Sequence, residues 1–253
     1  MKKNVLIITA AFCLFTTNIF AQHNHKKNKG VTPVPSYQNA TDQNKFRQLD
    51  QDLPTPNVYR TASGAPGHQY WQNTADYTMD IRLDDENQRV YGTEEITYNN
   101  ASPDVLEYLW VQLDQNMRSP ESMTYEIQQG NLKDGVGLNE YFNMFHTFPG
   151  GFNIDHVKDA SGADYSVKVN HTMMRIDLAK PLKAGESVKV NIKWWYNIND
   201  RMEIGGRSGY EYFKEEDNYL YTIAQFFPRM AVYSDVTGWQ NKQFLGRGEF
   251  TLP

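Results

Sequence analysis

The residues of this chain able to do chemistry fall into a few clusters: paired carboxylates, two close histidines, a glycine run and adjacent tryptophans. Asp84-Asp85-Glu86-Asn87 has the acidity of a calcium loop, but lacks the later glycine and the distant bidentate glutamate that such a loop needs. Glu215-Glu216-Asp217 would suit acid–base work only if a cleft separated the pKa values of its members, and no sequence feature supplies one. Both read as solvated turns. His23 and His25 are two residues apart in a polar stretch with no third ligand at a fixed spacing, so a solvated terminus is the better account. Gly205-Gly206-Arg207-Ser208-Gly209 resembles a phosphate cradle only in composition, because no helix follows whose amino end would supply aligned N–H donors. In Trp194-Trp195-Tyr196, neighbouring strand positions face opposite ways, which leaves at least one ring free for a flat sugar face or a partner domain.

What positions these residues begins after an export signal. Lys2 and Lys3 precede the apolar run from Val5 to Phe15, and a cleavage point after Ala21 makes residues 1–21 a signal peptide. Cys13 follows the bulky Phe12 inside the apolar core, which is the wrong place for a lipoprotein anchor. The run is shorter than the ~20 apolar residues of a transmembrane helix, and no later segment approaches that length. Cleavage removes the only cysteine, so the mature chain has neither a disulfide nor a thiolate metal site. It also takes two positive charges from a chain whose formal net charge is already −5, with acids and bases interspersed. Such a surface excludes nucleic acid as a partner class. Localisation is expected to be periplasmic or extracellular.

Residues 22–69 are polar and carry Pro33, Pro35, Pro54, Pro56 and Pro66 with no strand or helix period, as an extended, disordered leader would. Order begins near Tyr70. Tyr77, Met79, Ile81 and Leu83 alternate with polar residues in a half-buried strand. After an acidic turn, Val90 to Tyr98 returns with Ile96 and Tyr98 on one face, which makes a hairpin. Val105 to Leu113 is apolar on both faces and is expected in the interior of a sheet. The stretch from Ser119 to Gly151, dense in aromatics at Tyr141, Phe142, Phe145 and Phe148, shows no clean period and reads as an insertion folded back on the core. Strand signals return at Ile154 to Val157, Tyr165 to Val169 and Met174 to Leu178. Val188, Val190, Ile192 and Trp194 then alternate with Lys189, Asn191 and Lys193 in the cleanest strand of all. With no long amphipathic helix in competition, the fold class is all-β: an antiparallel sandwich or saddle-like sheet.

The order of these pieces resembles the opening of the M1 (gluzincin) zinc aminopeptidases, in an exported bacterial branch. The pieces are Tyr77 to Leu83, the glycine-marked strand Val90 to Asn99 ending in Tyr-Asn, and Leu106 to Asn116. They continue with the proline-leucine turn of Ile176 to Gly185, the long strand Val188 to Tyr196, and Tyr221 to Trp239 with its Gly-Trp pair. The resemblance covers residues 70–253 and is poorest across the insertion. It implies a non-catalytic N-terminal domain that walls the substrate groove. It also implies that an amide or carboxylate near the crossover holds the free amino end of a peptide substrate; Gln225 is the nearest match, although its spacing to Pro228 and Arg229 departs from better-known members. The family binds zinc through His-Glu-x-x-His and a later glutamate, with the first glutamate as general base. None of the six histidines here opens that motif, and Met202-Glu203 is followed by Ile204 rather than completing the Gly-x-Met-Glu-Asn signature. Catalytic and metal residues are therefore expected to be absent from this chain, which carries no cofactor of its own. Zinc and hydrolysis are expected in a downstream catalytic domain, the chain closing at Glu249 to Pro253 in what reads as a new strand.

A second class stays open at this stage: an exported binding module, for a carbohydrate or a protein partner, using Trp194 or Trp195 and having no enzymatic role.

Overall fold

The computed structural model describes residues 56–127, 135 and 148–246, all within the unit Leu53–Pro253. The expected signal peptide, most of the expected leader, the aromatic centre of the stretch 119–151 expected as an insertion, and the closing residues lie outside the described residues.

Two antiparallel four-stranded sheets face each other. The first contains β1 (Thr74–Asp84), β2 (Arg89–Asn99), β7 (Ser187–Asn197) and β4 (Asn153–Asp159), in the order β1-β2-β7-β4. The second runs β10-β3-β6-β5, from β10 (Arg229–Met230), β3 (Leu106–Gln112), β6 (Met173–Leu182) and β5 (Ser166–Asn170). Two small hairpins complete the set: β8 (Gly209–Phe213) with β9 (Asn218–Thr222), and β11 (Tyr233–Ser234) with β12 (Gly238–Trp239). The described helical pieces are short: a 3-10 turn at Asp114–Arg118, α1 at Met123–Glu126 and α2 at Arg201–Ile204. No helix among the described residues is long and apolar enough to cross a membrane. The expected all-β, antiparallel architecture is the observed one.

Alternation produces this arrangement because side chains along a strand point to opposite faces. On β7 the inward set Val190, Ile192, Trp194 and Tyr196 is 0–3 % exposed. Each such side chain contributes roughly 1.5–3 kcal/mol on leaving water. They meet Leu109 and Val111 of β3 and Met174 and Ile176 of β6 in one core cluster, which is what makes the two sheets a sandwich. β3 lies between β10 and β6, in the interior of its sheet as expected, although Tyr108 and Trp110 on its second face are only half-buried. A register shift between Leu106 and Tyr108 changes the parity of β3, so that Leu106 and Leu109 are both buried although strict alternation separates them. At the far end of β1 the inner face opens: Ile81 and Leu83 are 39 % and 44 % exposed.

Residues 56–69 fall in the stretch that the sequence assigns to the leader. Here they fold into turns, with Thr61 N–H donating to Ala65 O and Gly67 N–H to Tyr59 O. Arg60 ties them to the β11–β12 turn through Asp235.

Candidate functional site

Gln225 lies in the connection from β9 to β10. Its side chain is exposed and has no hydrogen-bond partner among the described residues, and its backbone φ is +51°. A residue with a Cβ is disfavoured in this left-handed region by roughly 1–2 kcal/mol, so the surroundings must enforce it. Two buried side chains do so. Gln115, 3 % exposed, donates from Nε2 to Ala224 O at 3.0 Å and to Gln225 O at 3.2 Å. Ser208 Oγ accepts from Ala224 N–H at 3.0 Å and donates back to Ala224 O at 3.2 Å. Arg118 Nη1 donates to Gln115 Oε1 at 3.1 Å. With two carbonyls on one side and a guanidinium on the other, only one orientation of the Gln115 amide satisfies all three contacts.

The residues that follow are fixed as firmly. Phe227 meets the ring of Tyr77 edge-on at 5.5 Å, and Tyr77 Oη accepts from Met230 N–H at 2.8 Å. Burial, with that bond and Arg229 opposing it, pushes the Tyr77 phenol up to about 12, so it stays protonated. Arg229 reaches Asp114, with Nη2 and Oδ2 2.7 Å apart. Neither Asp114 oxygen receives an aligned hydrogen bond, so this pair is close without being well directed. Burial raises the Asp114 pKa, and the charge and contact of Arg229 only partly offset that. Asp114 and Gln115 are consecutive residues of one 3-10 turn, so that turn holds the loop at both ends.

A second buried carboxyl lies within the sandwich. Glu94 points inward from β2, is 1 % exposed, and neither carboxyl oxygen has a hydrogen-bond partner. Its pKa is pushed up to about 8 by burial alone. A cavity of about 240 Å³ opens elsewhere, between Trp71 to Ala75 and Met230 to Asp235, with Arg60 at its lining; Gln225 is not part of it.

The other sequence candidates do not converge. His68, His156 and His171 lie in separate turns and strands; His23, His25 and His146 are outside the described residues. Among the described residues no three His, Cys, Asp or Glu side chains gather as a metal-ligand set. Gly205 to Ser208 link α2 to β8, which opens at Gly209. Glu215 to Asp217 form the exposed β8–β9 turn, as expected, with Asp217 accepting from Tyr212 Oη at 2.6 Å. Asp84 uses its carboxylate on Asn87 within its own turn. Trp194 is 1 % exposed, which removes it as a platform for a sugar. Trp195 does face outward, stacked with Tyr91 at 6.2 Å, but guanidinium groups already cover the pair: Arg82 over Tyr91 at 4.2 Å and Arg89 over Trp195 at 5.0 Å.

No protein-family model and no curated protein matches this chain. What the loop can do is therefore read from its own geometry. A free primary amide offers one acceptor and two donors, and this one stands on a backbone held in a single conformation. It is suited to a small polar group such as an ammonium or an amide. Sequence reasoning singled out Gln225 but missed Gln115 and Ser208, whose roles depend on contacts across 110 and 16 residues that no local pattern encodes. It also missed the β8–β9 hairpin, although Tyr210, Tyr212, Tyr219 and Tyr221 show the period of two that marks a strand face.

Proposed function

We propose that this chain is the β-rich, non-catalytic domain of an exported M1-type zinc aminopeptidase, lining the substrate groove and binding the amino end of a peptide through Gln225. The sequence resemblance supports this reading, and one structural observation carries it: an unpartnered, exposed amide presented on a left-handed backbone that buried residues hold in place. Non-glycine residues kept in such conformations gather at ligand clamps. The Gln225 side-chain oxygen Oε1 would accept from the ammonium of a peptide, and a free amino group is what separates an exopeptidase substrate from an internal peptide bond. Zinc and water activation belong, in this reading, to a catalytic domain; the described residues do not fit a zinc site and are assigned no step through it.

The test is hydrolysis of aminoacyl-4-nitroanilides by the natural full-length gene product, with and without zinc. Zinc-dependent release is expected, and Gln225→Ala should raise KM roughly 10- to 100-fold, the range for one hydrogen bond to a charged group. A full-length product with no zinc-dependent activity, or one that binds glycans through the Tyr91–Trp195 face, sinks the reading.

A further inference from the structure

We infer that Gln115 is the positioning residue that fixes the Gln225 backbone and so aims the Gln225 amide. For its ligand, this rests on the function proposed above; for its geometry, it stands alone.

On an extended chain consecutive carbonyls point to opposite sides. Ala224 O and Gln225 O nevertheless converge on a single Nε2, at 3.0 and 3.2 Å. That is possible only if residue 225, which lies between them, is turned rather than extended. Its φ of +51° is such a turn. Gln115 thus excludes an extended backbone at residue 225 and is satisfied by the left-handed turn present, instead of merely filling space beneath it. Both of its amide ends are engaged, since Oε1 accepts from Arg118, and at 3 % exposure water has little access to compete. Ser208 anchors the preceding residue through both Ala224 N–H and Ala224 O and makes no hydrogen bond to Gln225 itself. The Asp114–Arg229 pair fixes the far end of the loop from the same 3-10 turn. The turn from Asp114 to Arg118 is thereby a template against which the Gln225 loop is shaped, and Gln115 is its central contact.

The experiment compares the full chain with Gln115→Glu, which keeps the shape but puts an acceptor oxygen where the donor was, and with Gln115→Met, which is uncharged and guards against a folding failure of the first. Backbone order parameters at Ala224 to Phe226 should fall from about 0.85 toward 0.6 or below in either variant. A second readout separates positioning from simple packing. Gln225→Gly relieves the left-handed residue, so in the parent chain it should favour folding by about fivefold in the equilibrium constant. With Gln115 replaced, residue 225 no longer needs that conformation and the gain should vanish. In the zinc-loaded full-length protein, Gln115→Met should raise KM for a free-amine substrate more than it lowers kcat. Unchanged order parameters, or a Gln225→Gly gain that persists in both variants, overturn the proposal. Loss of loop order in a full-length protein with no peptidase activity keeps the positioning role and removes the aminopeptidase reading instead.

Discussion

The indole of Trp194 occupies the space that a β-carbon at position 92 would need. Gly92 and Trp194 are cross-strand partners on β2 and β7, both facing the sandwich. The glycine is thus a packing requirement of the largest fully buried side chain among the described residues. Gly92→Ala should destabilise the fold by about 1–3 kcal/mol, the usual range for overpacking. Thr93→Ala, one residue along and on the outer face, should stay within about 0.5 kcal/mol. Urea unfolding midpoints compare the two, and equal shifts would contradict the assignment.

Glu94 makes stability depend on pH in an unusual direction. A free glutamate ionises near 4.5, whereas the folded chain holds this one up to about 8 because burial disfavours its charge. Below the lower value it is protonated in both states. Between the two values only the unfolded chain releases the proton, so stability declines as pH rises, by about 1.4 kcal/mol per pH unit at most. Above the upper value both states are ionised and the loss levels off. Glu94→Gln removes the term, so the variant should gain little near pH 4.5 and should exceed the parent by a few kcal/mol at pH 8. Parallel pH profiles for parent and variant would show that the carboxyl finds a partner.

Much of this scaffold is legible in the sequence, because burial on one face imprints a period of two. Val188 to Trp194 announces β7 outright, and Tyr77 with Met79 announces β1. What the pattern hides has physical causes. Glu94 sits at an inward position, yet a glutamate followed by Glu95 reads as two solvent-facing charges. The bulge near Glu107 shifts β3 out of strict alternation. Trp194 and Trp195 look alike in sequence, and only the strand's register decides which one enters the core. For the loop, Gln225 was visible through resemblance alone; its backbone conformation depends on Gln115 and Ser208, which are remote in the chain.

Arg60 anchors residues 57–71 onto the sandwich. Its Nη2 and Nε reach Asp235 Oδ1 and Oδ2 at 2.6 and 3.2 Å, and the Asp235 side chain is 6 % exposed. Burial works to raise the Asp235 pKa, but the hydrogen bonds and charge of Arg60, with help from Asn57, outweigh it and leave the carboxyl below its ordinary range. The stabilisation is present above the ordinary carboxylate pKa and is lost as pH falls through the lower folded value. Arg60→Ala should cost about 2 kcal/mol by leaving a poorly solvated carboxylate unpaired, less than a fully buried pair because Arg60 itself is partly exposed. Limited proteolysis between residues 61 and 65 should also quicken; an unchanged cleavage rate would mean that this segment is held by other contacts.

The Asp114–Arg229 pair differs from the Arg60 fork, because here burial wins. Asp114 keeps a raised pKa despite an arginine 2.7 Å away, which marks a pair whose attraction does not recover the cost of leaving water. Removing one partner should therefore harm the fold more than removing both. Arg229→Met should destabilise by about 3 kcal/mol at neutral pH and less in acid, where Asp114 can take up a proton. Adding Asp114→Asn should restore most of that loss. Since Asp114 neighbours Gln115, the single variant should also loosen Ala224 to Phe226, and the double variant should tighten them again. Unfolding free energies for the cycle, measured with loop order parameters on the same samples, decide the point: additive losses would mean that the two charges act separately and that the 3-10 turn holds the loop through Gln115 alone.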